Sequence, residues 1–346
     1  MGKGITMPVK LAINGFGRIG RMVFRRALQD PTLEIVCVNA SYSPEILAHM
    51  AKYDTIHGRC EADIRPDENS MLVNGKRVRL TADRDPSRLP WDEMDIDVVI
   101  EATGKFRTAE LAGQHLKAGA KKVLITAPAD GVDLMMVMGV NDHLYNAEEH
   151  HIISGASCTT TCLAPVALVL NKEFGIKRGL MTTFHAYTSD QKILDNPHKD
   201  LRRARACGQS IIPTKSGATK AIGIVMPELA GKLDGIALRV PTPNVSIIDF
   251  AVLLEKSVNV KIVNEALREA SETYMKNYIE YCTEPLVSSD FNHNPSSAIV
   301  DSLMTMGDDD YMKVFAWYDN EWGYSCRIVD MAKMIGQAML AKASGM

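Results

Sequence analysis

Two residues in this 346-residue sequence stand where covalent chemistry is possible. Cys158 lies in the run Ser157-Cys158-Thr159-Thr160-Thr161, directly after a strand-like segment and at the head of a helix-like one. The partial positive charge of a helix N-terminus favours a thiolate there. A single Cys is more often an inert buried thiol, but the four hydroxyl neighbours build a polar, anion-receptive turn that a structural thiol does not need. His185 ends the strand-like run Thr182 to His185, and its ring is a suitable base for activating that thiol. Upstream, Gly15-Phe16-Gly17-Arg18-Ile19-Gly20 follows an alternating strand and opens a helical pattern through Met22, Val23 and Leu28. A lone G-x-G-x-x-G arises by chance roughly 0.1 times in a chain this long at ~7% Gly, so its setting between strand and helix carries the weight. There the glycines permit a tight turn, let the backbone approach a pyrophosphate and aim helix N–H groups at it. Glycine turn, helix-capped Cys and strand-end His together suggest a dehydrogenase that works through a covalent thioester.

In such a motif an acidic residue at the end of the second strand bonds the ribose 2′-hydroxyl of NAD. The second strand here, Glu34 to Val38, runs instead into Asn39-Ala40-Ser41. A carboxylate would repel a 2′-phosphate, so its absence removes the main barrier to NADP, although no Arg or Lys lies in the turn to attract one. Either another group reads the ribose or both cofactors are tolerated.

The elements that must position these residues are legible as a change of texture along the chain. Strand-like runs at Val9 to Asn14, Glu34 to Val38, Asp97 to Glu101, Lys122 to Thr126 and His151 to Ser154 alternate with helical stretches such as Thr108 to Ala118, which implies a parallel sheet. After Ser157 come a helix to Lys172, a strand at Leu180 to Ala186, and a polar, aperiodic stretch from Thr188 to Arg205. Long irregular segments usually carry function. Strands at Gly235 to Val240, Ser246 to Leu254 and Met312 to Tyr318, with a helix at Asn259 to Met275, predict a mixed or antiparallel second sheet. The last segment, Tyr324 to Leu340, reads as an amphipathic helix whose Ile328, Met331, Met334, Ile335 and Met339 pack on the core.

Composition narrows the partners. The chain is 46% hydrophobic and 23% charged with 24 Gly and 15 Pro, a globular profile with room for two domains. Lys+Arg 39 against Asp+Glu 42 gives a net charge of −3, which speaks against nucleic acid or an anionic membrane and for small ligands. Neither a long apolar run nor a basic-then-apolar leader is found, so a cytoplasmic location is expected. The seven cysteines are read as reduced thiols, and the C-x-x-x-C spacing of Cys158 and Cys162 fits neither a redox pair nor a metal knuckle, so no metal is expected. Met1 to Thr6 matches a lipidation pattern, yet an expression remnant or an alternative start at Met7 is the better reading.

Five longer runs carry a resemblance: Ile13 to Arg21 (I-N-G-F-G-R-I-G-R), Ala156 to Thr160 (A-S-C-T-T), His185 to Thr188 (H-A-Y-T), Arg239 to Ser246 (R-V-P-T-P-N-V-S) and Trp317 to Tyr324 (W-Y-D-N-E-W-G-Y). In these the chain resembles the glyceraldehyde-3-phosphate dehydrogenases, from about Val9 to the last helix. Asn39 to Ser43 and Asp195 to Lys199 are similar to the NADP-preferring bacterial branch associated with gluconeogenesis. The implied architecture is α/β, with a Rossmann-type parallel sheet over residues 7–156, completed by a C-terminal helix over 321–346. A catalytic α+β domain with a mixed or antiparallel sheet over 157–320 follows.

The resemblance also implies roles. Cys158 attacks the aldehyde of glyceraldehyde 3-phosphate and His185 handles the proton as hydride passes to the nicotinamide of NADP, with NAD possible. A thioester remains, and inorganic phosphate converts it to an acyl phosphate; the reverse sequence reduces 1,3-bisphosphoglycerate. Thr188, Asp190 and Arg239 surround one phosphate, while Ser157, Thr159, Ser216 and Gly217 surround the other, with Arg203 nearby. Gly15, Gly17, Arg18, Ile19 and Gly20 form the pyrophosphate turn. Asn39, Arg84, Thr103 and Thr126 surround the adenosine and nicotinamide, and Asn320 and Tyr324 meet the nicotinamide. Thr188 to Arg205 resembles the loop that reaches a neighbouring subunit's cofactor in a homotetramer, and a polar residue at Asn196 suits a 2′-phosphate.

Three positions depart from the family pattern. Gly155 and Thr161 replace asparagines whose amides normally brace the catalytic turn, and Ser216 replaces a threonine. Two rivals stand beside the main reading. Erythrose-4-phosphate dehydrogenases share the Cys and His, and Phe291 to Pro295 resembles them slightly, but they tend to lack the phosphate-site threonine kept here as Thr188. A non-catalytic dinucleotide-binding protein is the other, opposed by intact Cys158, His185 and Arg239.

Overall fold

In β1 (Val9–Asn14) every residue except Lys10 is buried, the pattern of a strand covered on both faces, as in a parallel sheet flanked by helices. The computed structural model describes residues 7–343, so the lipidation-like stretch from Met1 to Thr6 lies outside the described residues. Two compact units divide the chain: one holds residues 7–136, Leu144–Ala156 and the chain from Ser325 onward, the other Val137–His143 and Ser157–Tyr324. A border therefore runs between Ala156 and Ser157. Val137–His143 and residues 321–324 group with the second unit, where the sequence places them in the first.

After β1 the first unit continues through α1 (Arg18–Ala27), β2 (Leu33–Asn39), α2 (Pro44–Lys52), β3 (Ile64–Asp67), β4 (Ser70–Val73), β5 (Lys76–Thr81) and β6 (Val98–Glu101). The short helices α3 (Ala109–Ala112) and α4 (Gln114–Lys117) follow, then β7 (Lys122–Ile125), β8 (Leu134–Met135) and β9 (Ile152–Ser154). The helix expected over Thr108 to Ala118 is thus broken at Gly113. The strand order is β3-β4-β5-β2-β1-β6-β7-β9-β8. From β5 to β8 each pair is parallel, while β3, β4 and β5 pair antiparallel at the edge. Sequence reasoning missed that meander because β3 and β5 are charge-rich and largely exposed, and β4, although apolar and buried, is only four residues long. β1 lies between β2 and β6, so the carboxyl ends of these three strands open a crevice at a topological switch point.

The second unit begins with α5 (Cys158–Phe174) and β10 (Ile176–Ala186), followed by β11 (Ile212–Lys215), α6 (Ala218–Val225), β12 (Leu233–Val240), β13 (Ser246–Asn259) and α7 (Val260–Glu272). It ends with β14 (Ile279–Cys282), β15 (Ala298–Asp301), β16 (Met306–Tyr318) and the first turn of α8 (Trp322–Ala343). Its sheet, ordered β11-β12-β10-β13-β16-β15-β14, mixes parallel pairs (β10 with β12, β14 with β15) with antiparallel ones. The period of two along β10 buries Met181, Thr183 and His185 on one face and leaves Leu180 and Phe184 on the other. α5 packs against this sheet and is buried almost all round, which explains why its sequence is apolar without a polar face. Among the described residues, no helix is long and apolar enough to cross a membrane.

Within the first unit α8 lies so close to β1 that a Cβ on Gly336 would sit 2.2 Å from Val9 Cγ1. Lys333 Nζ reaches Asp30 Oδ2 at 2.8 Å just beyond α1. Burial would raise the Asp30 carboxyl, but hydrogen bonds from Lys333 and from the hydroxyl and N–H of Thr32 outweigh it and hold it at about 2. A carboxylate depressed in the folded state contributes stability that is complete above the unfolded value, near 4, and is lost as the pH falls through about 2. Asp30→Asn is therefore expected to remove about 1–2 kcal/mol of stability at pH 7 and to flatten that acid-side loss, as read by urea unfolding between pH 7 and pH 2.5.

Candidate active site

Ser157 caps α5: its Oγ accepts from the Thr160 N–H at 3.1 Å, which leaves the first-turn N–H groups beside Cys158 aimed outward. The preceding turn is tight, with Ala156 in the left-handed region at φ +54°. Ser154 holds that turn by accepting from the Ala156 N–H at 3.1 Å and donating to the Ala127 carbonyl at 2.7 Å. Cys158 Sγ then lies 3.4 Å from His185 Nε2. Burial pushes the thiol up, partly offset by the Arg239 charge and by hydrogen bonds from Thr159. Burial, with Arg239 adding to it, pushes His185 down to about 3, so the ring rests neutral and able to take a proton.

His185 Nδ1 has two close neighbours, the Ala186 carbonyl oxygen at 2.7 Å and Arg239 Nη1 at 2.6 Å. A carbonyl only accepts and a guanidinium only donates, so a neutral ring satisfies one of them at a time. With the hydrogen on Nδ1, Nε2 is free to take the thiol proton; with Arg239 donating to Nδ1, the hydrogen sits on Nε2 and points at Sγ. Both forms serve a thiol that must ionise. Tyr318 stands edge-on to the ring with centroids 5.9 Å apart. Its buried hydroxyl joins Thr159 Oγ1 at 2.8 Å to Thr183 Oγ1 at 2.7 Å. Neither Tyr318 nor Thr183 is singled out by sequence reasoning; Tyr318 lies inside the Trp317 to Tyr324 run, where only its position next to a strand end could have marked it.

Arg239 adjoins this pair, and the other residues expected to bind anions lie in the same unit. Arg239 donates to the Ala186 carbonyl at 3.0 Å, but its Nε is buried without a hydrogen-bond partner among the described residues. Ser157 Oγ, although it caps α5, keeps its own hydrogen to share, here with Thr160 Oγ1 at 2.8 Å, and Ser216 Oγ accepts from the Ala218 N–H at 3.3 Å. Gly217 precedes α6 with no side-chain cap and open space around it. Thr188 is half-buried, its N–H donating to Gln191. Asp190, expected at a phosphate, is paired with Arg203 and His198; a carboxylate would repel a phosphate, and its place here is to hold Arg203. Asn320 is buried, its Oδ1 accepting from Ser246 Oγ at 2.9 Å, and burial drives the Tyr324 phenol well up.

In the first unit a cavity of about 760 Å³ lies over the crevice and is lined by Gly15, Gly17, Asn39, Ala40, Arg84 and Thr103 among others. Gly15 has φ +96°, and a Cβ there would meet the Thr103 nitrogen at 2.8 Å; on Gly20 it would meet the Gly15 oxygen at 2.1 Å. Gly17 faces open space and no side chain caps α1, so backbone N–H groups are open to a pyrophosphate. These residues fit a dinucleotide. Arg18, expected in the pyrophosphate turn, sends its guanidinium to Asp54, whose carboxyl burial would raise but which Arg18 and the His57 and Ile56 N–H groups hold at about 2. Ile19, Gly20 and Thr126 do not line the cavity; Thr126 donates to the Glu101 carbonyl at 3.2 Å. Asn39 also differs from expectation. Its Nδ2 donates to Asn14 Oδ1 and to the Asp83 carbonyl, both at 2.7 Å, and its Oδ1 accepts from Thr81. With that amide bonded to its neighbours, Asn39 still borders the cavity, and Ala40, Ser41 and Tyr42 line it just beyond β2.

Comparison with known proteins finds relatives over both units. Family profiles match at residues 9–109 (glyceraldehyde 3-phosphate dehydrogenase, NAD binding domain) and 157–320 (glyceraldehyde 3-phosphate dehydrogenase, C-terminal domain). The chain is 59% identical over 334 residues to glyceraldehyde-3-phosphate dehydrogenase 2 of Bacillus subtilis, covering 96% of this chain and 98% of that one. The chain belongs to the glyceraldehyde-3-phosphate dehydrogenase family. The Geobacillus stearothermophilus glyceraldehyde-3-phosphate dehydrogenase is 55% identical over 330 residues, covering 95% of this chain and 98% of its own. The Staphylococcus aureus glyceraldehyde-3-phosphate dehydrogenase 2 is 55% identical over 338 residues, with 97% and 98% covered.

Two departures from the family pattern acquire a physical account. A Cβ on Gly155 would lie 2.5 Å from Ile328 Cδ1, so the fully buried Ile328 occupies the space that a side chain at 155 needs, and Ser154 braces the turn instead. Thr161 does not replace an amide: its Oγ1 is buried and makes no hydrogen bond among the described residues. Gly155→Asn is expected to destabilise this glyceraldehyde-3-phosphate dehydrogenase by about 1–3 kcal/mol through overpacking, and Ile328→Val, which removes the clashing methyl, to recover part of that in the double variant, as read by urea unfolding. Arg239→Leu removes a charge that lowers the Cys158 thiol, so the pH midpoint of iodoacetamide alkylation at Cys158 is expected to move upward.

Proposed function

We propose that this family member is a phosphorylating glyceraldehyde-3-phosphate dehydrogenase that prefers NADP and also runs the reverse, reducing reaction. The observation that carries the chemistry is Cys158 Sγ placed 3.4 Å from His185 Nε2 at the head of a buried helix, with Arg239 alongside. Cys158 attacks the aldehyde carbon, and its proton passes through His185 Nε2 to the aldehyde oxygen as the hemithioacetal forms. Nε2, free again, takes the hemithioacetal hydroxyl proton as the carbon is oxidised to the Cys158 thioester. When bound, the nicotinamide would supply the hydride acceptor for that oxidation, and Asn320 and Tyr324 are the residues that would hold it. Phosphate oxygen attacks the thioester carbon and the Cys158 thiolate leaves, giving the acyl phosphate. Arg239 and Thr188 hold one phosphate and Ser157, Thr159, Ser216 and Gly217 the other, for the fork of an arginine and outward N–H groups match phosphate oxygens. Arg203, fixed by Asp190, adds positive charge.

The cofactor reading rests on the end of β2. No carboxylate stands at the end of β2 to meet a 2′-phosphate, and Asp83, the carboxylate that lines the cavity beside Asn39, is paired with Arg88 at 2.9 Å and followed by Arg84. Run in reverse with NADPH as the hydride donor, the same steps reduce 1,3-bisphosphoglycerate. Self-association as a homotetramer is part of the same proposal, supported by the apolar side chains of Leu180, Ile193, Leu194 and Leu201, each more than 65% exposed.

Initial rates with glyceraldehyde 3-phosphate and phosphate test this. A higher kcat/KM with NADP⁺ than with NAD⁺ is expected, loss of turnover with retained cofactor binding in Cys158→Ser, and a swing of about tenfold or more toward NAD⁺ in Ala40→Asp, since a charge 4–6 Å from a phosphate costs on the order of 1–2 kcal/mol. A strong NAD⁺ preference in the unmodified enzyme would defeat the cofactor reading, and activity retained in Cys158→Ser the mechanism.

A further inference from the structure

From the wall of the cofactor cavity a buried row of polar side chains runs inward to Glu101, His115 and Trp91, three residues that none of the roles above uses. Asn39, Asn14 and Glu101 are register partners at the carboxyl ends of β2, β1 and β6, one rung across the three strands that form the crevice. Asn39 Nδ2 donates to Asn14 Oδ1 at 2.7 Å, and Asn14 Nδ2 donates to Glu101 Oε2 at 2.6 Å. The same oxygen lies 3.0 Å from His115 Nε2, and His115 Nδ1 lies 3.0 Å from Trp91 Nε1. Glu101 Oε1 accepts from both the N–H and the hydroxyl of Thr103. Trp91, His115, Glu101 and Asn14 are at most 2% exposed.

The polarity of this row is fixed from its ends. An indole N–H only donates and a carboxylate only accepts, so His115 Nδ1 accepts from Trp91 and its hydrogen sits on Nε2, donating to Glu101. Glu101 then receives four hydrogen bonds, two on each oxygen, which fills a carboxylate's capacity. Asn14 must turn its Nδ2 toward Glu101 and its Oδ1 toward Asn39, and Asn39 must turn its Nδ2 inward. Thr103 is held by the other oxygen, and Gly15 packs against Thr103 with only 2.8 Å between a would-be Cβ and the Thr103 nitrogen. Four of the groups that line the cavity, Asn14, Gly15, Asn39 and Thr103, thus take their positions from one carboxylate that does not itself face it.

We propose that Glu101, oriented by His115 and Trp91, is a positioning residue for the dinucleotide: it sets the glycine turn and the ends of β1, β2 and β6 in the arrangement that binds the cofactor. The geometry applies to either NADP⁺ or NAD⁺ and does not depend on which is preferred. Removing one hydrogen bond to a buried charged group weakens whatever that group holds by about an order of magnitude.

His115 provides the test, because a Gln reproduces its pattern with Oε1 accepting from Trp91 and Nε2 donating to Glu101, while a Leu fills the space without either. His115→Leu is expected to raise the Kd and KM for NADP⁺ and NAD⁺ about tenfold, with kcat at saturating cofactor within about threefold of the unmodified enzyme. His115→Gln is expected to restore both constants to within about twofold. Should His115→Leu fail to fold, Glu101→Gln decides, since a carboxamide cannot accept on both sides and the same rise in KM is expected. A lowered Tm with unchanged Kd and KM in these variants would overturn the proposal and leave a purely structural network. Absence of any dinucleotide binding by the unmodified protein would instead defeat the cofactor reading itself.

Discussion

A half-buried thiol and a buried imidazole held 3.4 Å apart impose conditions on most of the second unit. The thiol must sit where its negative charge can form, which the head of α5 supplies through its unpaired N–H groups and its dipole. The imidazole must reach it from another element, and β10 does this because alternate residues of a strand point to the same face, so that His185 follows Met181 and Thr183 toward α5. Burial opposes charge on both groups, which makes the pair a neutral resting state that ionises when Sγ finds an electrophile. Tyr318 adds stiffness, since its hydroxyl links the first turn of α5 to β10 through Thr159 and Thr183.

The first unit solves a different problem with similar means. The glycine turn brings strand and helix close with three distinct devices: a left-handed backbone at Gly15, open space at Gly17, and a close approach of Gly20 to the Gly15 carbonyl. The polar rung beneath them keeps the surrounding strand ends in register. Buried polar rows are costly unless each donor and acceptor is matched, and this one is matched from indole to amide. The same economy of space appears at Gly155, where Ile328 fills the volume next to the catalytic turn and Ser154 supplies the hydrogen bonds.

Legibility from sequence follows the range of the interaction involved. The glycine turn, the helix start at Cys158, the strand carrying His185 and the α/β character are local patterns, and all are visible in runs of a few residues. The antiparallel strands β3, β4 and β5 escaped notice because β3 and β5 are largely exposed and charged and the apolar β4 is too short to show a period. The helix over Thr108 to Ala118 reads as continuous because its pattern is, although the backbone breaks at Gly113. Arg18 reads as a phosphate ligand from the motif alone, and only the fold brings Asp54 to its guanidinium.

The chain's order of residues by itself determined which groups could react: a Cys at a helix start, a His at a strand end, glycines where φ must be positive, and no acid after the second strand. Those properties depend on neighbours in sequence, through capping, turn geometry and strand period. Tertiary structure alone decided that the Asn39 amide is bonded to Asn14, Thr81 and Asp83, that Asp190 serves Arg203, that Gly155 yields to Ile328, and that Glu101 gathers Asn14, His115 and Thr103. Each of those outcomes depends on packing and strand register between segments distant along the chain, where hydrogen-bond polarity and available volume, not local propensity, select the arrangement.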